Sequence, residues 1–268
     1  MRRHEEQETM HEERRTSSPD IRVAIVGGGI GGMALALSLH AAGFSDVDVY
    51  ESASSVKELG VGINVMPHAT RELTELGLLD ELYAVAIPTA QLIYYSRHGQ
   101  RIWNEPRGIA AGYRWPQFSI HRGTLLGVLH RAVRERLGAE RVHPGHHLAR
   151  FEQHADSVSA EFVDRASGAH RAHVEADILV GSDGIHSVVR RLLYPDQGPP
   201  QWNGITMWRA VTDGSPILSG RTMIMVGPPA RQMIAYPISR RHEAEGKALV
   251  NWVAAFKNAA DQPMPTQD

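Results

Sequence analysis

Three glycines and one glutamate near the start of the chain have the types and spacing of a dinucleotide site. The glycines follow the pattern Gly27-x-Gly29-x-x-Gly32. In such a pattern the first glycine permits a tight turn, the second lets backbone approach a pyrophosphate, and the third lets a helix pack closely on a strand. Glu51 comes at the offset of about 20 residues at which an acid accepts hydrogen bonds from an adenosine ribose. These residues predict a dinucleotide held by its phosphates and its ribose.

The elements around these residues are the ones that such a site needs. The apolar run Val23–Val26 predicts a strand, and residues from about Ile30 to Ala42 predict a helix whose N-terminus faces the phosphates. The apolar run that ends at Glu51 predicts a second strand. A glycine-rich turn that serves packing alone is the alternative interpretation. The complete strand, helix, strand and acid favour dinucleotide binding, and they argue against a membrane span in this uncharged interval.

Most of the remaining sequence predicts strands. A hairpin is expected around Gly99, and several short strands are expected from Val142 to Val180. Between them, residues 119–138 predict a strand followed by an amphipathic helix. From about Trp202 onward, β-type segments predict an antiparallel sheet, a separate layer attached to an α/β body.

Composition and charge limit the function classes. The 268 residues, 42% hydrophobic and 22% charged, are typical of a globular protein with one large or two modest domains. A net charge of -2 gives no argument for nucleic acid or an anionic membrane as a partner. The absence of cysteine excludes disulfides, thiolate metal sites and a cysteine nucleophile. His146 and His147 most resemble metal ligands, but neighbours in a strand point to opposite faces, so no metal is expected.

The first residues of the chain differ from the rest. Residues 1–19 are dense in charges of both signs and nearly free of large apolar groups, so they predict a flexible extension. They lack the apolar core of a secretory signal. We therefore expect a cytoplasmic protein with no integral membrane segment.

Three segments make the chain resemble the FAD-dependent aromatic monooxygenases, the family of p-hydroxybenzoate and salicylate hydroxylases. They are the GGGIGG turn with Glu51, the segment SIHRGTLLGVL with Arg122, and the segment GSDGIHSVVR with Asp183. Shorter strings such as LGVGIN, EPRG, GITMWR, AYPIS and LVNWV are similar to strings in the phenazine-modifying branch of this family, in the same order. The resemblance covers about residues 21–253.

The resemblance implies the fold class and the domain organisation. We expect an α/β fold in which an FAD-binding, Rossmann-like domain of the glutathione-reductase type carries an attached antiparallel β-sheet substrate domain. The FAD-binding domain is expected over residues 20–195, with about residues 88–117 contributing to the substrate sheet, and a partial substrate domain is expected over residues 196–268. Full-length members continue with a Gly-Asp-Ala-Ala-His-type segment that has no counterpart before Asp268. The fold is therefore expected to be C-terminally truncated.

The resemblance also implies a set of cofactor and substrate contacts. Arg122 is expected to reach the flavin, with a surface ion pair as the alternative, and Ser187 and Arg190 could simply cap and solvate a helix. The expected FAD contacts are Gly27, Gly29, Ile30, Gly31, Gly32, Glu51, Ser52, Val61, Gly62, Arg122, Asp183 and Gly184. The expected apolar wall toward the substrate is Trp208, Met225 and Tyr236, with ordinary core packing as the alternative.

The activity that the resemblance implies is the hydroxylation of an aromatic ring. In this family NADH or NADPH reduces FAD, and the reduced flavin reacts with O2 to give a C4a-hydroperoxyflavin that hydroxylates the substrate. A phenazine-like compound or an aromatic carboxylate is the expected substrate, and no oligomeric state follows from the sequence. A truncated, noncatalytic FAD- or nucleotide-binding protein is a second hypothesis. An NAD-dependent dehydrogenase is a third, disfavoured by the Asp183-Gly184 junction and, for the short-chain type, by the lack of a Tyr-x-x-x-Lys pair.

Overall fold

The computed structural model describes residues 21–55 and 60–258, so the predicted extension at residues 1–19 and the polar C-terminal tail lie outside the described residues. The strands are β1 (Val23–Val26), β2 (Val47–Glu51), β3 (Gly62–Val65), β4 (Ile87–Thr89), β5 (Gln91–Tyr95), β6 (Arg101–Pro106), β7 (Gln117–His121), β8 (Val142–Pro144), β9 (His147–Gln153), β10 (Val158–Val163), β11 (His170–Ala176), β12 (Ile178–Gly181), β13 (Ile205–Gly214), β14 (Thr222–Val226), β15 (Arg231–Pro237) and β16 (Ala248–Lys257). The helices are α1 (Ile30–Ala41), α2 (Pro67–Glu75), α3 (Leu79–Val85), α4 (Arg122–Arg136), α5 (Val188–Leu193) and α6 (Arg240–Ala244).

The chain divides into two compact units. Among the described residues, the first unit comprises residues 21–55 and 129–200, and the second comprises residues 60–128 and 201–258. The break at residue 200 lies near the predicted boundary at residue 195, whereas residues 60–128 are grouped with the later strands. The assignment of a cofactor role and a substrate role to separate domains stays a prediction.

The first unit is built on a four-stranded parallel sheet in the order β12-β1-β2-β8. Its central strand β1 is buried along its whole length, as expected for an apolar strand in a parallel sheet. In register, Val26 pairs with Gly181 on one side and with Tyr50 on the other. The carboxyl ends of β12, β1 and β2 therefore meet at one edge of the sheet, the edge at which α/β folds bind ligands.

A three-stranded antiparallel sheet, β11-β10-β9, completes the first unit. Its buried side chains share a hydrophobic cluster with one face of the parallel sheet, and in this cluster the Tyr50 ring stacks between two other rings. The ring centroids are 4.7 Å from His143 and 4.4 Å from Phe162. Burial, and after it the nearby carboxylates of Asp48 and Asp46, raises the pKa of the Tyr50 phenol to about 12.

The second unit contains a six-stranded sheet, β13-β16-β15-β14-β5-β6, and a three-stranded antiparallel sheet, β3-β7-β4. The predicted antiparallel sheet is confirmed from β13 to β14, and the predicted hairpin around Gly99 is confirmed as β5 and β6. A parallel pairing of β14 with β5, which the sequence did not predict, joins the hairpin to the later strands.

The predicted amphipathic helix is α4, which packs through buried Leu125, Leu129 and Val133. Leu126, predicted on the same face, is only partly buried. Within the described residues, no helix is both long enough and apolar enough to cross a membrane.

Candidate dinucleotide site

Two glycines of the predicted fingerprint are required by the packing of the turn between β1 and α1. Gly27 has a φ of +106°, and a Cβ there would lie 2.4 Å from the carbonyl oxygen of Ser182. A Cβ on Gly32 would lie 1.9 Å from the carbonyl oxygen of Gly27. Both distances are far below a van der Waals contact, so any larger residue at these positions would push the turn or the helix out of place.

Two further glycines of the turn, Gly29 and Gly31, have open space beside them. A Cβ on Gly29 or on Gly31 would meet no atom within 4 Å. Gly29 is the N-cap of α1, no side chain caps the helix, and no acidic residue lies in its first turn. The N–H groups and the positive dipole end of α1 therefore face a position at which an anionic group would be stabilised.

Glu51, at the carboxyl end of β2, holds the glycine turn from the side. Its Oε2 accepts the backbone N–H of Gly28 at 2.7 Å, and its Oε1 accepts the backbone N–H of Ala53 at 2.7 Å and the hydroxyl of Ser52 at 3.2 Å. A Cβ on Gly28 would lie 2.9 Å from the Cβ of Glu51. The need for glycine at position 28 was missed by the sequence prediction, although the run of three glycines contained it. A carboxylate has lone pairs beyond these three contacts, so ribose hydroxyls could still donate to it.

The second glycine junction lies directly against the first. The backbone N–H of Ser182 donates to the carbonyl of Val26 at 2.7 Å, and the Cα of Asp183 is 2.9 Å from the position that a Cβ of Gly27 would take. The next residue, Gly184, has a φ of +78°. The two strand-to-helix junctions therefore form one continuous backbone surface at the edge of the parallel sheet.

The side chain of Asp183 organises the start of α5. One carboxylate oxygen accepts the hydroxyl of Ser187 at 2.5 Å, and the other accepts the backbone N–H of Val188 at 2.6 Å. Ser187 is the N-cap of α5, and its hydroxyl oxygen accepts the backbone N–H of Arg190 at 2.9 Å. Ser187 thus caps helix α5, which is the structural role given above as the alternative to a cofactor contact. The carboxylate of Asp183 also binds the start of this helix.

The second unit contains the remaining predicted cofactor contacts, Val61, Gly62 and Arg122. The backbone N–H of Arg122, an exposed residue, donates to the carbonyl of Val61 at 3.0 Å. Gly62 is buried, and its N–H donates to Oδ1 of Asn251 at 2.7 Å. Its carbonyl oxygen accepts the hydroxyl of Tyr236 and a guanidinium N–H of Arg209, each at 3.0 Å.

Asn251 and Arg209 were not among the predicted site residues. The strings LVNWV and GITMWR contained them, but a single polar residue in a strand gives no periodic signal. Burial raises the pKa of the Tyr236 phenol, while the positive charge of Arg209 acts to lower it.

The predicted substrate wall of Trp208, Met225 and Tyr236 is split between two faces of the six-stranded sheet. Met225 pairs with Ile234, two residues from Tyr236, so Met225 and Tyr236 share a face. The same ladder places Arg209 on that face, because Arg209 pairs with Val253 and Val253 pairs with Ile234. Trp208 precedes Arg209 and therefore points to the opposite face, where it lies 4.9 Å from the Phe256 ring. The three residues do not form one wall, because neighbouring residues of a strand alternate between faces.

Comparison with known proteins adds a family match and several relatives. A family described as "FAD binding domain" matches residues 20–261. The chain is 43% identical over 246 residues to a phenazine 1,6-dicarboxylic acid hydroxylase of Lysobacter antibioticus, covering 91% of this chain and 60% of that protein. It is 30% identical over 264 residues to the salicylate hydroxylase of Pseudomonas putida, covering 92% and 57%. The solved structure of 2,6-dihydroxypyridine-3-hydroxylase from Arthrobacter nicotinovorans superposes with a TM-score of 0.71 at 29% identity, covering 92% and 58%. The chain thus spans less than two thirds of the length of these relatives.

Proposed function

Because the chain belongs to the FAD binding domain family, we propose that it binds FAD noncovalently and serves a monooxygenase reaction that consumes NAD(P)H and O2 and hydroxylates an aromatic ring. The contact of the Gly27 turn with Ser182 and Asp183 carries this proposal. It joins two strand-to-helix junctions at the carboxyl edge of a parallel sheet, where an extended dinucleotide finds backbone N–H groups and a helix N-terminus. A cytoplasmic location, where reduced nicotinamide is available, is part of the proposal.

The residues of the first unit fit the adenosine and pyrophosphate parts of FAD. The open positions beside Gly29 and Gly31 leave room for phosphate oxygens against the uncapped start of α1. Ile30 and Gly32 would offer the next backbone groups of that turn. Glu51, steadied by Gly28, would accept the ribose hydroxyls, with Ser52 beside it. Asp183 and Gly184 would add backbone contacts from the second junction.

FAD, when bound, supplies the redox chemistry and the activation of oxygen. The protein binds and orients FAD and the substrate and shields them from water. By the resemblance to aromatic monooxygenases, Val61, Gly62 and Arg122 of the second unit are proposed to contact the flavin end. Arg122 would contribute a permanent positive charge there. Gly62 would contribute backbone whose own polar groups are already paired.

We propose a planar aromatic substrate with a carboxylate, as the relative that acts on a phenazine dicarboxylic acid suggests. The face of the six-stranded sheet that carries Met225 and Tyr236 would contact its ring. Tyr236 would support this face from within, because its side chain is buried and its hydroxyl is engaged by Gly62. Arg209 gives this face a positive charge that complements a carboxylate.

An absorbance experiment tests the proposal in two stages. The purified chain is incubated with excess FAD, separated from free cofactor by gel filtration and scanned in the visible range. A bound flavin spectrum is expected, and its complete absence would contradict FAD binding. Oxidation of NADH or NADPH is then followed with and without phenazine 1,6-dicarboxylic acid or salicylate. Stimulation with formation of a hydroxylated product is expected, whereas a retained flavin with no stimulation would favour the noncatalytic binder.

A further inference from the structure

Three side chains form hydrogen bonds with the backbone of Gly62, the first residue of β3. Strand β3 is an edge strand of the sheet β3-β7-β4, so the backbone groups of Gly62 that face away from β7 have no strand to pair with. Asn251 accepts the N–H, and Tyr236 and Arg209 donate to the carbonyl. Both polar groups of this one residue are therefore satisfied by side chains of the six-stranded sheet.

Side chains also pack closely against the Cα of Gly62. A Cβ on Gly62 would lie 2.6 Å from the Cβ of Asn251 and 2.8 Å from a methyl group of Ile238. No residue with a side chain fits between β3 and the sheet face without displacing one of them. The distance between the Gly62 backbone and that face is thus set by the side chain of Asn251.

Asn251 is an unusual choice for this position on stability grounds. Its side chain is completely buried, and its Nδ2 forms no geometrically complete hydrogen bond among the described residues, although burial raises the pKa of the Tyr236 phenol and the interaction with Asn251 acts to lower it. A buried amide donor without a partner destabilises the folded state, so an apolar residue would suit the interior better if packing were the only requirement. What an apolar residue could not supply is the acceptor for the Gly62 N–H.

The neighbours of Asn251 make the arrangement rigid. Tyr236 lies directly opposite Asn251 in the adjacent strand, on the same face. The Tyr236 side chain is itself buried and donates to the other polar group of Gly62. Strands β15 and β16 therefore hold the N–H and the carbonyl of one residue from two fixed points.

We propose that Asn251 is a positioning residue that fixes the backbone of Gly62 and so sets where the Val61–Gly62 segment meets the flavin. The effect on the flavin rests on the proposed function. The fixing of the Gly62 backbone by side chains rests on the hydrogen bonds alone. Asn251 acts through Gly62 and touches no reacting atom in this proposal. The residue would affect the environment of the flavin ring far more than the anchoring of the dinucleotide, which belongs to the Gly27 turn.

Amide hydrogen exchange tests the hydrogen bond between Asn251 and Gly62 without any cofactor. In Asn251→Ala, the amide of Gly62 is expected to exchange about tenfold faster than in the parent chain, the ratio given by the loss of one buried hydrogen bond. Asn251→Asp keeps an acceptor and should exchange within about threefold of the parent. Asn258→Ala is the matched control, because it removes an amide that donates to Thr206 at 2.8 Å and does not contact Gly62. Equal exchange in Asn251→Ala and the parent would overturn the proposal.

The visible spectrum of bound FAD tests the consequence for the flavin. In Asn251→Ala the absorption maxima should shift toward those of free FAD, the dissociation constant for FAD should change less than about fivefold, and Asn251→Asp should restore most of the parent spectrum. If the alanine variant does not fold, Asn251→Val fills the space without offering an acceptor and takes its place. An unchanged spectrum with FAD bound would refute the positioning role and leave the proposed function intact. A parent chain that binds no FAD would instead remove the proposed function and the flavin part of this inference together.

Discussion

The Glu51 carboxylate accepts the backbone N–H of Gly28 at 2.7 Å, so the acid at the end of β2 and the glycine turn at the end of β1 form one unit. This bond spans two adjacent parallel strands and orients both partners toward the same edge of the sheet. An acid predicted as a ribose ligand therefore has a second task, which is to hold the turn that faces the phosphates.

Replacing Glu51 should weaken FAD binding through both tasks. Glu51→Ala removes the acceptor for Gly28 and the predicted ribose contact, so the dissociation constant is expected to rise by a factor of about 10 to 100. Isothermal titration with FAD measures it. Glu152→Gln, which changes an exposed glutamate of the same unit, is the control. Equal affinity of Glu51→Ala and the control would mean that neither task matters.

Two glycines of the same turn should respond in different ways to alanine. Gly32→Ala places a Cβ against the Gly27 carbonyl and should lower the free energy of unfolding by about 3 kcal/mol. Gly29→Ala has open space and an ordinary φ of -74°, so the apo chain should lose no more than about 1 kcal/mol, the cost of a poorer N-cap.

The second half of this prediction concerns the cofactor. In Gly29→Ala the dissociation constant for FAD should rise at least about tenfold, because the new methyl group occupies the approach to the helix N-terminus. Urea unfolding of the apo chain and FAD titration separate the two effects. Normal FAD affinity in a stable Gly29→Ala chain would contradict a pyrophosphate at this turn.

The two faces of the six-stranded sheet predict opposite outcomes for two substitutions. Met225→Ala removes an apolar contact from the face that carries Tyr236, and the affinity for an aromatic carboxylate should fall about tenfold. Trp208→Ala acts on the opposite face and should leave that affinity within about twofold. Titration of the FAD-loaded protein with phenazine 1,6-dicarboxylic acid, followed by flavin absorbance, gives both values. The reverse order would show that the substrate uses the Trp208 face.

The stability of the chain should depend on pH through His130. Burial lowers the pKa of this imidazole below its ordinary value of 6.5, and the charge of Arg134 lowers it further. The unfolded chain then binds the proton more tightly than the folded chain, so the free energy of unfolding falls as the pH drops through 6.5 toward the lower folded value.

A pair of histidine variants measures this effect. Between pH 7.5 and pH 5.5, the melting temperature of His130→Gln should fall less than that of the parent. Above pH 7, the two melting temperatures should depend on pH in nearly the same way. His98→Gln, at an exposed position of the β5–β6 hairpin, controls for the loss of a histidine as such. A decline in His130→Gln as steep as that of the parent would assign the acid sensitivity to other groups.

The local signals in the sequence predicted the strand, turn and helix from Val23 to Ala41, because glycine spacing and apolar runs act over a few residues. The bond between Gly28 and Glu51 was not predictable in the same way, since it depends on the side-by-side pairing of β1 and β2. The direct contact between Gly27 and Asp183 likewise depends on β12 pairing with β1 across most of the chain.

The faces of the six-stranded sheet show a different limit of the sequence. Trp208, Met225 and Tyr236 all lie in apolar strands, but only the register tells which of them share a face. Asn251 was missed because a single buried amide in a strand leaves the apolar pattern of the strand recognisable and belongs to no known motif. Its partner, Gly62, was noticed as a glycine, yet the reason for the glycine lies in a strand nearly at the other end of the described chain.

The stacked ring of Tyr50 links the two sheets of the first unit in a way that concerns its neighbour in the chain. His143 and Phe162 each stack on this ring, and the next residue along β2 is Glu51. The packing around Tyr50 thus supports the end of the strand that carries Glu51. Phe162→Leu, which removes one of the two stacked rings, is therefore expected to lower the free energy of unfolding of the first unit by about 1 kcal/mol.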